Sequence, residues 1–164
     1  QSARFYLGGI FYCTVCEHRM NLELIQGDLY IDSRGAMRFC NDFDMSVVKR
    51  FYTIANSAER PVRGWIGHKR ETKWFFPLKG ITVIGVEPID GSRVEREEGM
   101  SGDADVSTCS TRSTWFNLTA ESPAVLKVPC NNWFYIEQHD GAEVMVFSDC
   151  KVGEFENDDF RRPL

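Results

Sequence analysis

No run of apolar residues in this chain reaches the ~18 that a membrane-crossing helix needs, and no Lys/Arg-led leader with a small-residue cleavage site is visible. The expectation is a soluble, cytoplasmic protein with no membrane partner. An excess of positive charge is missing too. Nineteen Lys and Arg stand against 24 Asp and Glu, a formal net charge of -5. That balance argues against a general nucleic-acid binder while leaving room for a local basic pocket around one phosphorylated small molecule. Histidine is scarce, at three residues. Cys13-Thr14-Val15-Cys16 with His18 has the spacing of half a zinc site, but no second C-x-x-C follows and only His68 and His139 remain elsewhere. Internal repeats and low-complexity tracts are also lacking.

What is present is enough to fold without staples. A chain of 164 residues with 43% hydrophobic content buries one full core, so Cys13, Cys16, Cys40, Cys109, Cys130 and Cys150 read as reduced thiols. Short β-prone runs occupy 29–32, 36–39, 47–54, 62–66, 73–78, 81–89, 114–118, 124–128, 133–137 and 143–147. Turn residues separate them, at Ser33-Arg34-Gly35, Pro61, Lys79-Gly80, Asp90-Gly91 and Asp140-Gly141. Many short strands without long helical patterns predict an all-β sandwich or barrel. The charged, small-residue stretch 93–111 reads as a long loop over one mouth. Residues 1–19 begin without a methionine, whereas Met20-Asn21-Leu22 resembles a natural start. They are taken as an N-terminal extension whose Phe5-Tyr6-Leu7 and Ile10-Phe11-Tyr12 can form an edge strand, with the main domain at 20–164. The sequon Asn117-Leu118-Thr119 reads as an ordinary loop tripeptide.

The stretch from Arg63 to Gly80 resembles the first cupin motif, with Ile66, His68, Lys73 and Gly80 at the positions of its two histidines, glutamate and glycine. Val128-Pro129-Cys130-Asn131-Asn132-Trp133-Phe134 resembles the second motif, with Phe134 at its last ligand position. Only His68 of the four metal-ligand positions keeps a ligand, and an imidazole beside a Lys makes a poor divalent-metal site. No metal and no other cofactor is expected. A narrower likeness joins Asp32-Ser33-Arg34-Gly35, Asn41-Asp42-Phe43, Val48-Lys49-Arg50-Phe51-Tyr52, Arg63-Gly64-Trp65-Ile66-Gly67-His68-Lys69 and Val144-Met145-Val146-Phe147-Ser148-Asp149. In that order they resemble the metal-free sugar 3,4-ketoisomerase and dTDP-4-dehydrorhamnose 3,5-epimerase group of the cupins. The resemblance implies a jelly-roll homodimer that binds a dTDP-linked 4-keto-6-deoxy sugar and moves protons next to its carbonyl. Where the epimerases carry their catalytic base this chain has Ile66. The ketoisomerase pattern R-G-x-H-x-H-K survives here as Arg63-Gly64, His68 and Lys69, so a 3,4-ketoisomerase is the better enzyme reading. The other reading is a cupin that binds a sugar or nucleotide and has lost its chemistry with that base.

Removing a proton α to a ketone requires a base that is neutral near pH 7 and a positive group to hold the enolate oxygen. His68 is the candidate base, and Lys73, inward by strand alternation, the candidate partner. Tyr52 and Tyr135 are candidates to return a proton. Arg50 and Arg63 are candidates to clamp a diphosphate. Lys69 and Trp74 complete the candidate substrate-binding set. Each has a plainer reading: a hydrogen-bonded core histidine, a Lys lying along an apolar wall, barrel-filling tyrosines, core tryptophans, or an Arg63 ion pair with Glu71 or Asp44. Glu71 and His139 read as solvated loop residues.

Overall fold

The computed structural model describes residues 21–89 and 113–163. Strands dominate them. The order is β1 (Glu23–Gln26), β2 (Asp28–Asp32), β3 (Gly35–Phe39), β4 (Arg50–Ile54), β5 (Val62–His68) and β6 (Lys73–Lys79). It continues through β7 (Ile81–Pro88), β8 (Thr114–Thr119), β9 (Ala124–Val128), β10 (Asn132–Gln138), β11 (Glu143–Ser148) and β12 (Phe160–Arg161). One five-stranded sheet runs β1-β9-β6-β11-β4, the other β12-β5-β10-β7-β8, and β2 pairs with β3 as a separate hairpin. All the pairings are antiparallel. Two such sheets face to face form the cupin jelly roll that the sequence motifs led one to expect.

Period-two patterning builds the core. Along β10, Phe134 and Ile136 are buried while the alternate residues Trp133 and Tyr135 are only half-buried, and along β11 Val144 and Val146 are buried in the same alternation. With Phe75, Ile84, Val86 and Leu126 they fill the space between the sheets. Loss of any of these would leave a cavity, since such interiors are close-packed. A second cluster of Phe43, Trp74, Val125 and Phe147 covers the outer side of the first sheet. At the β10–β11 hairpin, Asp140 and Gly141 both have positive φ, 54° and 71°, the requirement of the tight turn that Asp-Gly supplies. Gly67 is needed for a different reason: a Cβ there would stand 2.6 Å from the Trp133 ring, which lies flat across β5.

The structure departs from the sequence reading in four places. The run 47–54 starts as a strand only at Arg50, because Met45–Val47 form a 3-10 turn whose first N–H groups are capped by Asp44, its Oδ1 accepting from the Ser46 N–H at 2.8 Å. β5 continues past residue 66 to His68, which places that histidine within a paired strand opposite Asn132. β1 and β12 were not foreseen: one is exposed at a sheet edge and the other is two residues long. Asn117 lies on β8 with its side chain exposed, not in a loop. The edge strand read at residues 5–12, Cys13, Cys16 and Cys109, and the whole of the loop read at 93–111 fall outside the described residues. Among the described residues no helix is long and apolar enough to cross a membrane.

Candidate active site

A cavity of about 390 Å³ opens at one end of the sandwich. Its floor and walls follow from strand alternation. β4 turns Arg50, Tyr52 and Ile54 into it, β6 contributes Lys73, and β10 contributes Phe134 and Ile136. β5 contributes Arg63, Ile66 and His68. Arg63 and Ile66 are three residues apart and would face opposite ways on a regular strand. A register shift between Phe134 and Ile136 on the neighbouring strand, which pair with Ile66 and Arg63, brings both to the same side. The remaining wall is the C-terminal segment, including Cys150, Lys151, Phe155, Asp158 and Arg161. The four cupin ligand positions, Ile66, His68, Lys73 and Phe134, thus converge on one cavity. Together they offer one imidazole and one ammonium, of which only the imidazole is a usual ligand of a divalent cation.

The charged centre is a buried carboxylate. Glu71 Oε1 accepts from Lys73 Nζ at 2.6 Å, Ser148 Oγ at 2.5 Å and Arg50 Nη2 at 2.9 Å, while Oε2 lies 3.4 Å from His68 Nδ1. Burial pushes its pKa up. The hydrogen bonds and charges from Lys73, Ser148 and Arg50 together outweigh that and bring it down to about 2. Glu71 is therefore ionised across the physiological range. Lys73, also buried, donates a second hydrogen bond to the Tyr52 hydroxyl oxygen at 3.1 Å. The phenolic hydrogen is thereby left free to point elsewhere.

His68 is held by the C-terminal segment. Its Nδ1 lies 2.7 Å from the main-chain oxygen of Asp158, and its ring stacks on Phe134. A carbonyl oxygen only accepts, so Nδ1 carries the hydrogen and Nε2 keeps its lone pair, with no partner among the described residues. Burial first, and then the charge of Lys73, hold the imidazole below its ordinary pKa, which keeps it neutral. The Asp158 carboxylate secures the adjoining turn. It accepts the N–H groups of Lys69, Arg70 and Glu71 at 3.0, 3.1 and 3.0 Å, and so presents Glu71 toward Lys73.

Of the residues singled out from the sequence, His68, Lys73, Tyr52, Arg50 and Arg63 line this cavity. Three others are placed elsewhere. Tyr135 alternates out of the core, donates to Glu137 Oε2 and packs between Trp65 and Trp115 on the outer face of its sheet. Trp74, next to Lys73 in the strand, faces the opposite side and packs on Phe43. Lys69 follows the end of β5, and its ammonium sits over the Phe160 ring. Arg63 makes neither foreseen ion pair; its Nε donates to Asn56 Oδ1, and Arg50 takes the place beside Glu71. The largest correction is Glu71 itself, read as a solvated residue yet 6% exposed at the centre of the network. Asp158 and Ser148 were not foreseen at all. The one available signal for Glu71 was its position two residues before a buried Lys, the distance at which a carboxylate can fold back onto it.

No protein-family model matches the chain, and no curated protein matches it in sequence. Solved structures do match in fold. A mutant of the 3,4-ketoisomerase QdtA from Thermoanaerobacterium thermosaccharolyticum, crystallised with TDP-4-keto-6-deoxyglucose, is 19% identical with a TM-score of 0.60, over 87% of this chain and 88% of that one. A dTDP sugar isomerase from Desulfovibrio desulfuricans is 17% identical with a TM-score of 0.64, over 87% and 83%. The rmlC epimerase of Mycobacterium tuberculosis is 15% identical with a TM-score of 0.56, over 79% and 64%. The fold of this chain is that of the ketoisomerase and epimerase cupins.

Proposed function

We propose that the protein is a metal-independent isomerase of a nucleotide-linked keto-sugar, a 3,4-ketoisomerase acting on a dTDP-linked 4-keto-6-deoxy sugar. The observation that carries this reading is an imidazole held through Nδ1 by the Asp158 carbonyl, its Nε2 without a partner among the described residues, in the same cavity as an ammonium and a phenol already hydrogen-bonded to each other. His68 Nε2 takes the proton from C3, and the electron pair moves to the C4 carbonyl oxygen. Lys73 and Tyr52 donate to that oxygen as charge develops. Tyr52 passes its phenolic proton to O4, giving the enediol, and then takes the O3 hydroxyl proton while His68 Nε2 delivers its own to carbon 4, so that the carbonyl stands at C3, both side chains return to their starting state and no atom is gained or lost. Arg50, Arg63 and Arg161 line the cavity and supply the positive charge a diphosphate needs. Ile66 offers no base for C5.

Two measurements test this. A nucleotide that binds only the folded chain raises its melting temperature by mass action, so dTDP should do so and Arg63→Ala should remove most of the shift. The wild type should also incorporate deuterium from heavy water at C3 of dTDP-4-keto-6-deoxyglucose, with little at C5. Binding without exchange at C3 would replace the isomerase reading with that of a non-catalytic nucleotide-sugar binder. Exchange at C5 as fast as at C3 would refute the argument from Ile66.

The same reading includes a homodimer. Tyr30, Ile31 and Met37 on the β2–β3 hairpin and Phe51 on the edge strand β4 are large apolar side chains left exposed on this chain alone. A second copy is the occupant the edge strand favours. Sedimentation at micromolar concentration should return twice the mass of one chain. A stable monomer would sink this part of the proposal.

A further inference from the structure

We propose that Glu71 is the positioning residue of this cavity, its two carboxylate oxygens bridging His68 on one side to the Lys73–Tyr52 pair on the other, so that one buried charge governs both halves of the proton transfer. The inference deepens the isomerase reading and rests on it for the roles of His68 and Tyr52. The geometry behind it does not depend on any substrate. Oε2 is 3.4 Å from His68 Nδ1, and Oε1 receives Lys73, which in turn donates to Tyr52. Ser148 and Arg50 fix the same oxygen from β11 and β4, and Asp158 fixes the Glu71 main chain, so the carboxylate has no freedom to swing away.

Among the described residues, charged and titratable groups approach His68 from three sides. Glu71 follows it in the turn, Lys73 comes from β6, Arg50 and Tyr52 come from β4, Asp158 and Asp159 come from the C-terminal segment, and the Phe134 ring of β10 stacks on it. Lys73 opposes protonation of the imidazole and Glu71 favours it, the former more strongly. Glu71 thus does two things at once. It holds Lys73 as a charged donor aimed at Tyr52, and it offsets the penalty that this same charge places on the base. A base beside an unbalanced ammonium would be too weak to take a carbon-bound proton at neutral pH.

The test is the protonation midpoint of the His68 imidazole, followed by NMR in the ligand-free protein, with the signal assigned by its loss in His68→Asn. Glu71→Gln should lower the midpoint by about one pH unit, the scale for removing an opposite charge at this distance. Lys73→Met should raise it. The double variant Glu71→Gln with Lys73→Met should fall between the wild type and Lys73→Met. Glu154→Gln, which removes a carboxylate paired with Lys49 at the surface, should leave it in place. Should Glu71→Gln fail to fold, the order wild type, double variant, Lys73→Met still decides the matter. An unmoved or raised midpoint in Glu71→Gln, or any other order among those three, would overturn the proposal. Because no sugar is present, absence of C3 exchange in the activity assay would sink the isomerase reading and leave this result standing.

Discussion

Replacing His68 by Asn should slow deuterium exchange at C3 of the keto-sugar by ~10²-fold or more, the usual scale for losing a general base. The choice of Asn matters. Its side-chain amide can still donate to the Asp158 carbonyl that Nδ1 now meets at 2.7 Å, so the C-terminal wall of the cavity is kept while the free lone pair of Nε2 is lost. Binding of dTDP should change little, because the arginines proposed to hold the diphosphate, Arg63 among them, are untouched. A fall in exchange accompanied by an equal loss of dTDP binding would point to a disrupted cavity and not to a missing base. Exchange within a few-fold of the wild type would show that another group removes the C3 proton. The pH profile gives a second view of the same residue. With its pKa held below the ordinary imidazole range by burial and by Lys73, His68 is already neutral somewhat below pH 6.5. The rate should therefore rise and level off before neutrality, and the level part should be where His68→Asn has its full effect.

How much of this could be read in advance depended on the kind of signal. The strands that carry the core announced themselves, because alternation such as Trp133-Phe134-Tyr135-Ile136 has only one arrangement that buries an apolar face. The short or exposed elements did not: β1 has no apolar alternation to speak of, and β12 exists because the chain around Asp158 is fastened beside β5, a tertiary cause with no local trace. The cavity residues divided in the same way. Alternation expects Lys73 inward, and it is buried in the cavity, but the irregularity in β5 between Arg63 and Ile66 could not be seen in the sequence. Trp74 and Tyr135 were drawn into the candidate site by composition, though each follows an inward-facing residue and must face out. Glu71 was misjudged because a carboxylate in a Lys-Arg-Glu-Thr-Lys run looks solvated. Its burial comes from partners as distant in the chain as Ser148 and Asp158. Such long-range satisfaction of a buried charge is what sequence patterning does not encode.

That buried carboxylate should also make the fold acid-sensitive in a specific window. An ordinary glutamate in the unfolded chain titrates near 4.5, whereas folded Glu71 titrates at about 2. The unfolded state thus binds the proton first, so the contribution of Glu71 is fully present above about pH 4.5 and is lost as pH falls toward 2. A difference of this size corresponds to about 3 kcal/mol. His68 acts earlier and with the same sign: its folded pKa is depressed below 6.5, so its share is lost as pH falls below that value. Urea denaturation at a series of pH values should therefore show stability declining in two stages, the first below pH 6.5 and the larger below 4.5. Exposed carboxylates such as Glu154 and Glu121 are also held below the ordinary glutamate value, so the decisive quantity is the difference between the wild type and Glu71→Gln. That difference should be largest near neutrality, where the variant lacks the ion pair, and should shrink by about 3 kcal/mol on going to pH 2. The two stability curves should converge because protonated Glu71 and Gln are close in shape and both uncharged. Parallel curves below pH 4.5 would mean that Glu71 is not the group whose protonation unlocks the cavity, and that Lys73 and Arg50 are neutralised in the folded chain by something other than this carboxylate.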